Sequence, residues 1–410
     1  MKDLTLKLIC LLFALLLTVS VCACGGSDEQ TDATAGATAG ATTNATADAT
    51  AADTSADVTE APTEPETLSP EAQEKADDLA FLATVTDHNY ELTDKNEPFF
   101  VGRWFEKEID GVTHTVSLTD GCQFYFLIQG TDTVTLDFTV ITTMEEPYFA
   151  YIIDGGEPVR QHITDGTVTL PDTGRHLVQI VTDGLTETEG KWVEEKGFAL
   201  KSVTPGEGGR IKGVRPTDKV IFFFGDSITE GIRALNMNAT ADGNSATNAY
   251  PWQCSKVLGT VTYPIGYGAT GIIMTGSFNT MKLAMDYNSK DRPVEDSFYP
   301  SVICINHATN DGGQPDAAFT TALEDTLTHL REKWPDVPVV YIIPFNQTKA
   351  ACIRKVMEGF ENGYVVETRE WRLRGKDFTD GVHPSVQGAQ TAGQKLAEAL
   401  IGIFGEEFFK

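Results

Sequence analysis

The hydrophobic period of this chain changes near residue 216, and that change restricts the architecture more than any other feature. Before it, Val134, Leu136, Phe138 and Val140 alternate with Thr135, Asp137 and Thr139, the period of a half-buried strand. Phe124-Tyr125-Phe126-Leu127-Ile128 and Phe149-Ala150-Tyr151-Ile152-Ile153 read as further strands, and Asp154-Gly155-Gly156 and Pro171-Asp172-Thr173-Gly174 as turns. Short strands at this spacing predict an all-β sandwich over residues 80–215. After the change, continuous apolar runs at 220–224, 261–265, 302–305 and 339–344 are separated by helical segments. In one of these, Phe319, Leu323, Leu327, Leu330 and Trp334 recur on one face, with Asp316 near the start and Pro335 at the end. Continuous strands with intervening helices predict an α/β domain over 216–410, built on a parallel sheet covered on both faces.

Function in such sheets gathers at the carboxyl ends of the strands. Two motifs fall where that rule directs attention. Gly225-Asp226-Ser227-Ile228-Thr229 directly follows the run 220–224, and Ala308-Thr309-Asn310-Asp311 follows 302–305. A third, Asp380-Gly381-Val382-His383-Pro384, lies near the C-terminus. Together they supply a nucleophile (Ser227), a base (His383) and a carboxylate three residues before it (Asp380), the parts required for acyl transfer. A backbone carbonyl could orient His383 in place of Asp380. Taken singly, Ser227 could be a helix cap, Asn310 a turn residue and His383 the lead-in to a final helix bearing Ala389, Ala392, Leu396 and Leu400. His307 lies within a strand-end segment, where a structural role is expected. Thr229 stands where the G-x-S-x-G elbow requires its second glycine, so the α/β-hydrolase pattern does not apply.

The three motifs resemble the first, third and fifth blocks of the SGNH, or GDSL-like, hydrolase superfamily, in the family's order across residues 220–384, with Ala308 where glycine is usual. Gly266 in Ile265-Gly266-Tyr267-Gly268 is the best match to the second block, with Gly268 as the alternative. The resemblance implies a flavodoxin-like parallel sheet. It also implies a Ser227–His383–Asp380 triad and an oxyanion hole made by the N–H groups of Ser227 and Gly266 with the Asn310 amide. A sandwich directly before such a domain resembles carbohydrate esterase family 2, which includes acetylxylan esterases. Val101-Gly102-Arg103-Trp104, residues 126–138 and Ile152-Ile153-Asp154-Gly155 look like that family's jelly-roll segments. The implied reaction removes acetyl groups from xylan or glucomannan. Tyr250, Trp252, Tyr267 and Trp371 could stack on sugar faces or pack in the core.

Lys2 and Lys7 precede an apolar stretch from Leu8 to Val21, too short for a spanning helix. The stretch ends in Val21-Cys22-Ala23-Cys24-Gly25 and resembles a bacterial lipoprotein signal over residues 1–24, which implies lipidation of Cys24. An ordinary secretory signal is the alternative. Residues 25–75 are nearly all Ala, Thr, Asp, Glu, Gly and Pro and are expected to form a disordered tether. The expected location is therefore the outer face of a bacterial membrane, held there by a lipid anchor only. A net charge of -28 argues against nucleic acid as a partner. No ligand spacing such as H-E-x-x-H occurs, so no metal or other cofactor is expected. Cys122, Cys254, Cys304 and Cys352 form no C-x-x-C pair and read as buried thiols. The rival functions are an esterase for lipids or peptidoglycan acetyl groups, and an inactive carbohydrate-binding lipoprotein.

Overall fold

The structure, a computed structural model, describes residues 68–410. The expected signal, Cys24 and the tether up to residue 67 lie outside the described residues. The first element is helix α1 (Pro70–Val85), capped by the Ser69 hydroxyl, which accepts from the Ala72 N–H, and led by a proline in its first turn. It begins five residues inside the segment expected to be tether. Its apolar face is sparse, with Leu82 the one buried hydrophobic residue, and composition alone therefore hides it.

Twelve strands follow. They are β1 (Tyr90–Leu92), β2 (Phe99–Val101), β3 (Phe105–Ile109), β4 (Val112–Ser117), β5 (Gln123–Gln129) and β6 (Thr133–Val140), then β7 (Tyr148–Ile153), β8 (Val159–His162), β9 (Thr167–Thr169), β10 (His176–Gly184), β11 (Phe198–Pro205) and β12 (Arg210–Pro216). They form two antiparallel sheets. One runs β1-β12-β5-β10-β7-β8, with β2 also paired to β5, and the other β3-β4-β11-β6-β9. Phe124, Phe126, Ile128, Val178 and Ile180 of the first face Val134, Leu136, Phe198 and Leu200 of the second. This is the core of a sandwich. The opposite face of β5 and β10 is also covered: Tyr125, Leu127 and Leu177 join a core that contains Phe222, Tyr263 and Ile265 of the next domain. Burial on both faces explains why residues 124–128 read as an unbroken apolar run rather than an alternating one.

The second domain is built on five parallel strands, β13 (Val220–Gly225), β14 (Val261–Gly266), β17 (Val302–Asn306), β18 (Val339–Ile342) and β19 (Gly363–Val366), in the order β14-β13-β17-β18-β19. A two-stranded ribbon, β15 (Tyr287–Ser289) and β16 (Arg292–Pro293), lies between β14 and β17 in sequence. The helices are α2 (Ser227–Glu230), α3 (Tyr250–Leu258), α4 (Met281–Asp286), α5 (Asp316–Lys333), α6 (Ala350–Glu358) and α7 (Val386–Phe404). Alternate residues of β13 serve the two faces. Phe222 and Phe224 meet Phe319, Leu323 and Leu327 of α5, whereas Ile221 and Phe223 meet Cys254 of α3 and Leu396 and Leu400 of α7. The strand order is the flavodoxin-like 2-1-3-4-5, whose switch point lies between β13 and β17. The fifth strand was not among the apolar runs. It is a four-residue edge strand, with only Val366 fully buried, so its pattern is weak.

Candidate active site

Both strands at the switch point end in a turn that carries a polar side chain. After β13, Asp226 caps the short helix α2 by accepting from the Ile228 N–H at 3.0 Å, which places Ser227 at the first helical position. Gly225 cannot be replaced there, because a Cβ would come within 1.9 Å of the Thr229 hydroxyl. After β17, the chain turns through Ala308 at φ 101° into the 3-10 turn Thr309–Asp311. The left-handed conformation explains why glycine is usual at this position, and here alanine adopts it despite the strain. Asp311 holds the facing loop, accepting from the N–H groups of Ile272, Ile273 and Met274 at 2.9–3.0 Å.

The C-terminal motif meets the first. The Ser227 hydroxyl lies 2.8 Å from Nε2 of His383, and Nδ1 of His383 lies 2.9 Å from Oδ2 of Asp380. Ser227 and His383 are 5% and 7% exposed, reachable from solvent but mostly shielded. Asp380 also accepts from the N–H groups of Val382 and His383 through Oδ1, at 3.0 and 2.9 Å, so one carboxylate fixes both the turn and the ring. Burial alone would raise the Asp380 carboxyl. These hydrogen bonds, with that of Arg233, more than offset burial and hold it well below the usual carboxylate range. An ionised Asp380 accepts from Nδ1–H and leaves Nε2 as the acceptor for the serine proton.

Arg233 was not singled out in the sequence. Its guanidinium is 2.5 Å from Oδ2 of Asp380, the same oxygen that faces the histidine. No motif contains it, since its partner lies 147 positions away. Glu230, on the same helix as Ser227, belongs to no motif for the same reason. It forms an ion pair with Lys191, which comes from the segment between β10 and β11 of the sandwich, and both side chains are 0% exposed. Burial pushes the Glu230 carboxyl up to about 7, against the pull of Lys191. Burial likewise pushes Asp226 up to about 7.

The sandwich reaches this site at other points. Thr119 donates to the Gly266 carbonyl at 2.8 Å, Asp183 accepts from the Thr247 N–H at 2.7 Å, and Asn244 donates to the Leu185 carbonyl at 2.7 Å. Gly266 ends β14 opposite Gly225, and a Cβ there would meet the Glu230 nitrogen at 2.8 Å. The Asn310 amide donates to the Thr270 carbonyl at 2.9 Å and lies 3.5 Å from Oδ2 of Asp226, the residue before Ser227. His307 is buried, which pushes it down to about 4, and it takes no part in the relay. Tyr250 and Tyr267 are core residues, and Trp371 packs against Phe345. Only Trp252 of the four aromatics lines a cavity described below. Among the described residues, no three His, Cys, Asp or Glu side chains converge as metal ligands.

No protein-family model matches the sequence, and no curated protein does. Solved structures do match. A family two carbohydrate esterase from Clostridium thermocellum, in complex with cellohexaose, is 19% identical, with a TM-score of 0.59 over 75% of this chain and 99% of that one. An acetyl xylan esterase from Butyrivibrio proteoclasticus is 16% identical, with a TM-score of 0.58 over 78% and 100%. A salicylyl-acyltransferase from a tetracycline biosynthetic pathway is 14% identical, with a TM-score of 0.54 over 78% and 98%. At these identities the likeness establishes the fold alone, an antiparallel sandwich followed by an α/β domain built on a parallel sheet.

Proposed function

We propose that this protein is a serine esterase that removes O-acetyl groups from a plant cell-wall polysaccharide such as xylan or glucomannan. The observation that carries the reading is the unbroken relay from Ser227 through His383 to Asp380. The fold shared with family two carbohydrate esterases supports the substrate class, and the sandwich is read as their jelly roll. His383 takes the proton of Ser227 as its oxygen attacks the acetyl carbonyl. Negative charge then collects on the carbonyl oxygen, where the N–H groups of Ser227 and Gly266 and the Asn310 amide are assigned as donors. Gly266 is favoured over Gly268 because it ends β14 directly opposite Gly225, two residues before Ser227. Collapse expels the sugar oxygen, which takes the proton from His383. Water, deprotonated by the same histidine, then releases acetate from the acyl-enzyme.

Hydrolysis of 4-nitrophenyl acetate tests the chemistry. Ser227→Ala should lower kcat by on the order of 10⁶ without loss of fold, and near-normal turnover would refute the assignment. Acetate release from acetylated xylan and acetylated mannan, measured against longer acyl esters and acetylated peptidoglycan, tests the substrate. Faster turnover of either of the latter would move the reading to that class. The Cys24 lipid anchor belongs to the same proposal and places the enzyme at the outer surface of a bacterial membrane. An unmodified N-terminus in the mass spectrum of the mature protein would remove it.

A further inference from the structure

A cavity lies away from the relay. About 680 Å³ in volume, it lies at the seam of the two domains, between residues 83–88 with Tyr90, the outer face of β5 and β10, and the segment joining α3 to β14. Its walls include the end of α3 and Val261, the first residue of β14, whereas Ser227 lies two residues past the end of the neighbouring parallel strand β13. Six residues of strand place the two about 20 Å apart, at opposite ends of the sheet.

The walls of this cavity mix polar and apolar side chains: Gln123, Tyr125 and Gln179 stand beside Val85, Ile152 and Leu177. Gln123, Tyr125 and Gln179 form one network: the Tyr125 hydroxyl donates to Oε1 of Gln123, and the Gln179 amide donates to both at 2.8 Å. The Gln123 amide is in turn fixed on the Thr262 carbonyl at 2.8 Å. Trp252 stands on the same wall and packs against Ala150, Ile152 and Val181. Ser255 and Thr260 also line the cavity, are 2% and 4% exposed, and have hydroxyls without a hydrogen-bond partner among the described residues. Buried hydroxyls are rarely left in that state. The charges lie at the rim, where Lys256 pairs with Glu157 at 3.0 Å, His88 pairs with Asp218 at 2.7 Å, and Asp87 is exposed.

We infer that this cavity is a second binding site, for a neutral saccharide, separate from the catalytic centre. Lys256 and His88 are already paired with carboxylates, so neither is free for an anion, Asp87 is a single carboxylate and too few for a metal ion, and a lipid chain would cover the Gln123–Tyr125–Gln179 network without pairing it. Fixed amides, spare hydroxyls and a tryptophan together match the alternating hydroxyl and C–H surfaces of a sugar ring. The volume admits a short oligosaccharide. A chain bound there is held without being presented to Ser227.

Calorimetric titration of the full chain with unsubstituted xylohexaose, mannohexaose and cellohexaose tests this, because none carries an ester. Ala83→Trp, on the exposed rim, should obstruct the mouth, and Trp252→Ala should remove the aromatic wall. Each should weaken the tightest of the three interactions by about tenfold or more. Turnover of 4-nitrophenyl acetate should stay within about twofold of wild type, which reports folding and keeps the esterase reading as a separate question. Equal affinity in wild type and both variants would place all binding at the catalytic centre and overturn the inference. Absence of binding by wild type would assign the cavity to water and overturn it equally.

Discussion

The two ends of the Ser227–His383–Asp380 relay are held by different means. His383 is fixed by its own neighbourhood: Asp380 closes the turn through two backbone N–H groups and orients the ring three residues on. Ser227 is fixed from far away. Its helix is wedged between Gly266 of the adjacent strand and Lys191 of the sandwich, and the loop after it is tied to Asp183 and Leu185. A base can be oriented by one carboxylate on a tight turn. A nucleophile that must meet both a base and an oxyanion site requires several elements to agree.

The sharpest way to break this contrast is at the local end. Asp380→Asn keeps the shape of the turn but removes the charge that favours the imidazolium and fixes the tautomer. A fall in kcat of roughly 10²–10⁴ with little change in KM is expected. A pH–rate profile matching wild type in height and shape would instead assign the orienting role to the backbone.

At the remote end, Lys191→Met leaves Glu230 buried without its cation. Removing one partner of a buried pair costs about 3–5 kcal/mol, and here Glu230 can relieve part of this by taking up a proton. Chemical denaturation should show a loss toward the low end of that range. Lys191→Met/Glu230→Met should recover most of it, and a double variant no more stable than the single would show that Lys191 acts through something other than Glu230.

The next effect is one of pH. A carboxyl raised to about 7 in the folded state binds its proton more tightly there than in the unfolded chain, where about 4.3 is usual. Its stabilising contribution is thus complete below about pH 4.3 and is lost as pH rises through 7. The melting temperature of wild type should decline from about pH 5 to pH 8. Glu230→Gln should flatten that slope without abolishing it, because Asp226 is raised in the same way. An unchanged slope would mean that Glu230 is ionised throughout.

The smallest effect is expected at Arg233. Arg233→Gln removes a charge-assisted bond but leaves Asp380 its backbone donors, so kcat should fall by only about three- to tenfold. A loss as large as that of Asp380→Asn would make the arginine, not the turn, the anchor of the histidine end.

The same contrast explains what the sequence could disclose. Ser227, Asn310, Asp380 and His383 occupy short motifs because strand ends and tight turns are local structures with local chemical demands. The continuous runs of β13, β14, β17 and β18 were legible because both faces of a central strand are buried. Lys191, Glu230 and Arg233 were not legible. A charged residue that will be buried looks like any surface charge until its partner is known, and these partners lie 39 and 147 positions apart. The edge strand β19 and helix α1 escaped for the complementary reason, that neither buries enough of itself to impose a period.

The outer face of the larger sandwich sheet contributes Tyr125, Leu127, Leu177 and Val214 to the same apolar cluster as Phe222 and Tyr263. A cut between residues 205 and 220 would strip the cover from both partners, so neither half is suited to independent expression or to exchange by recombination. Such a protein diversifies as one inherited block. A substitution on either side of that seam is therefore felt in the packing of the other side.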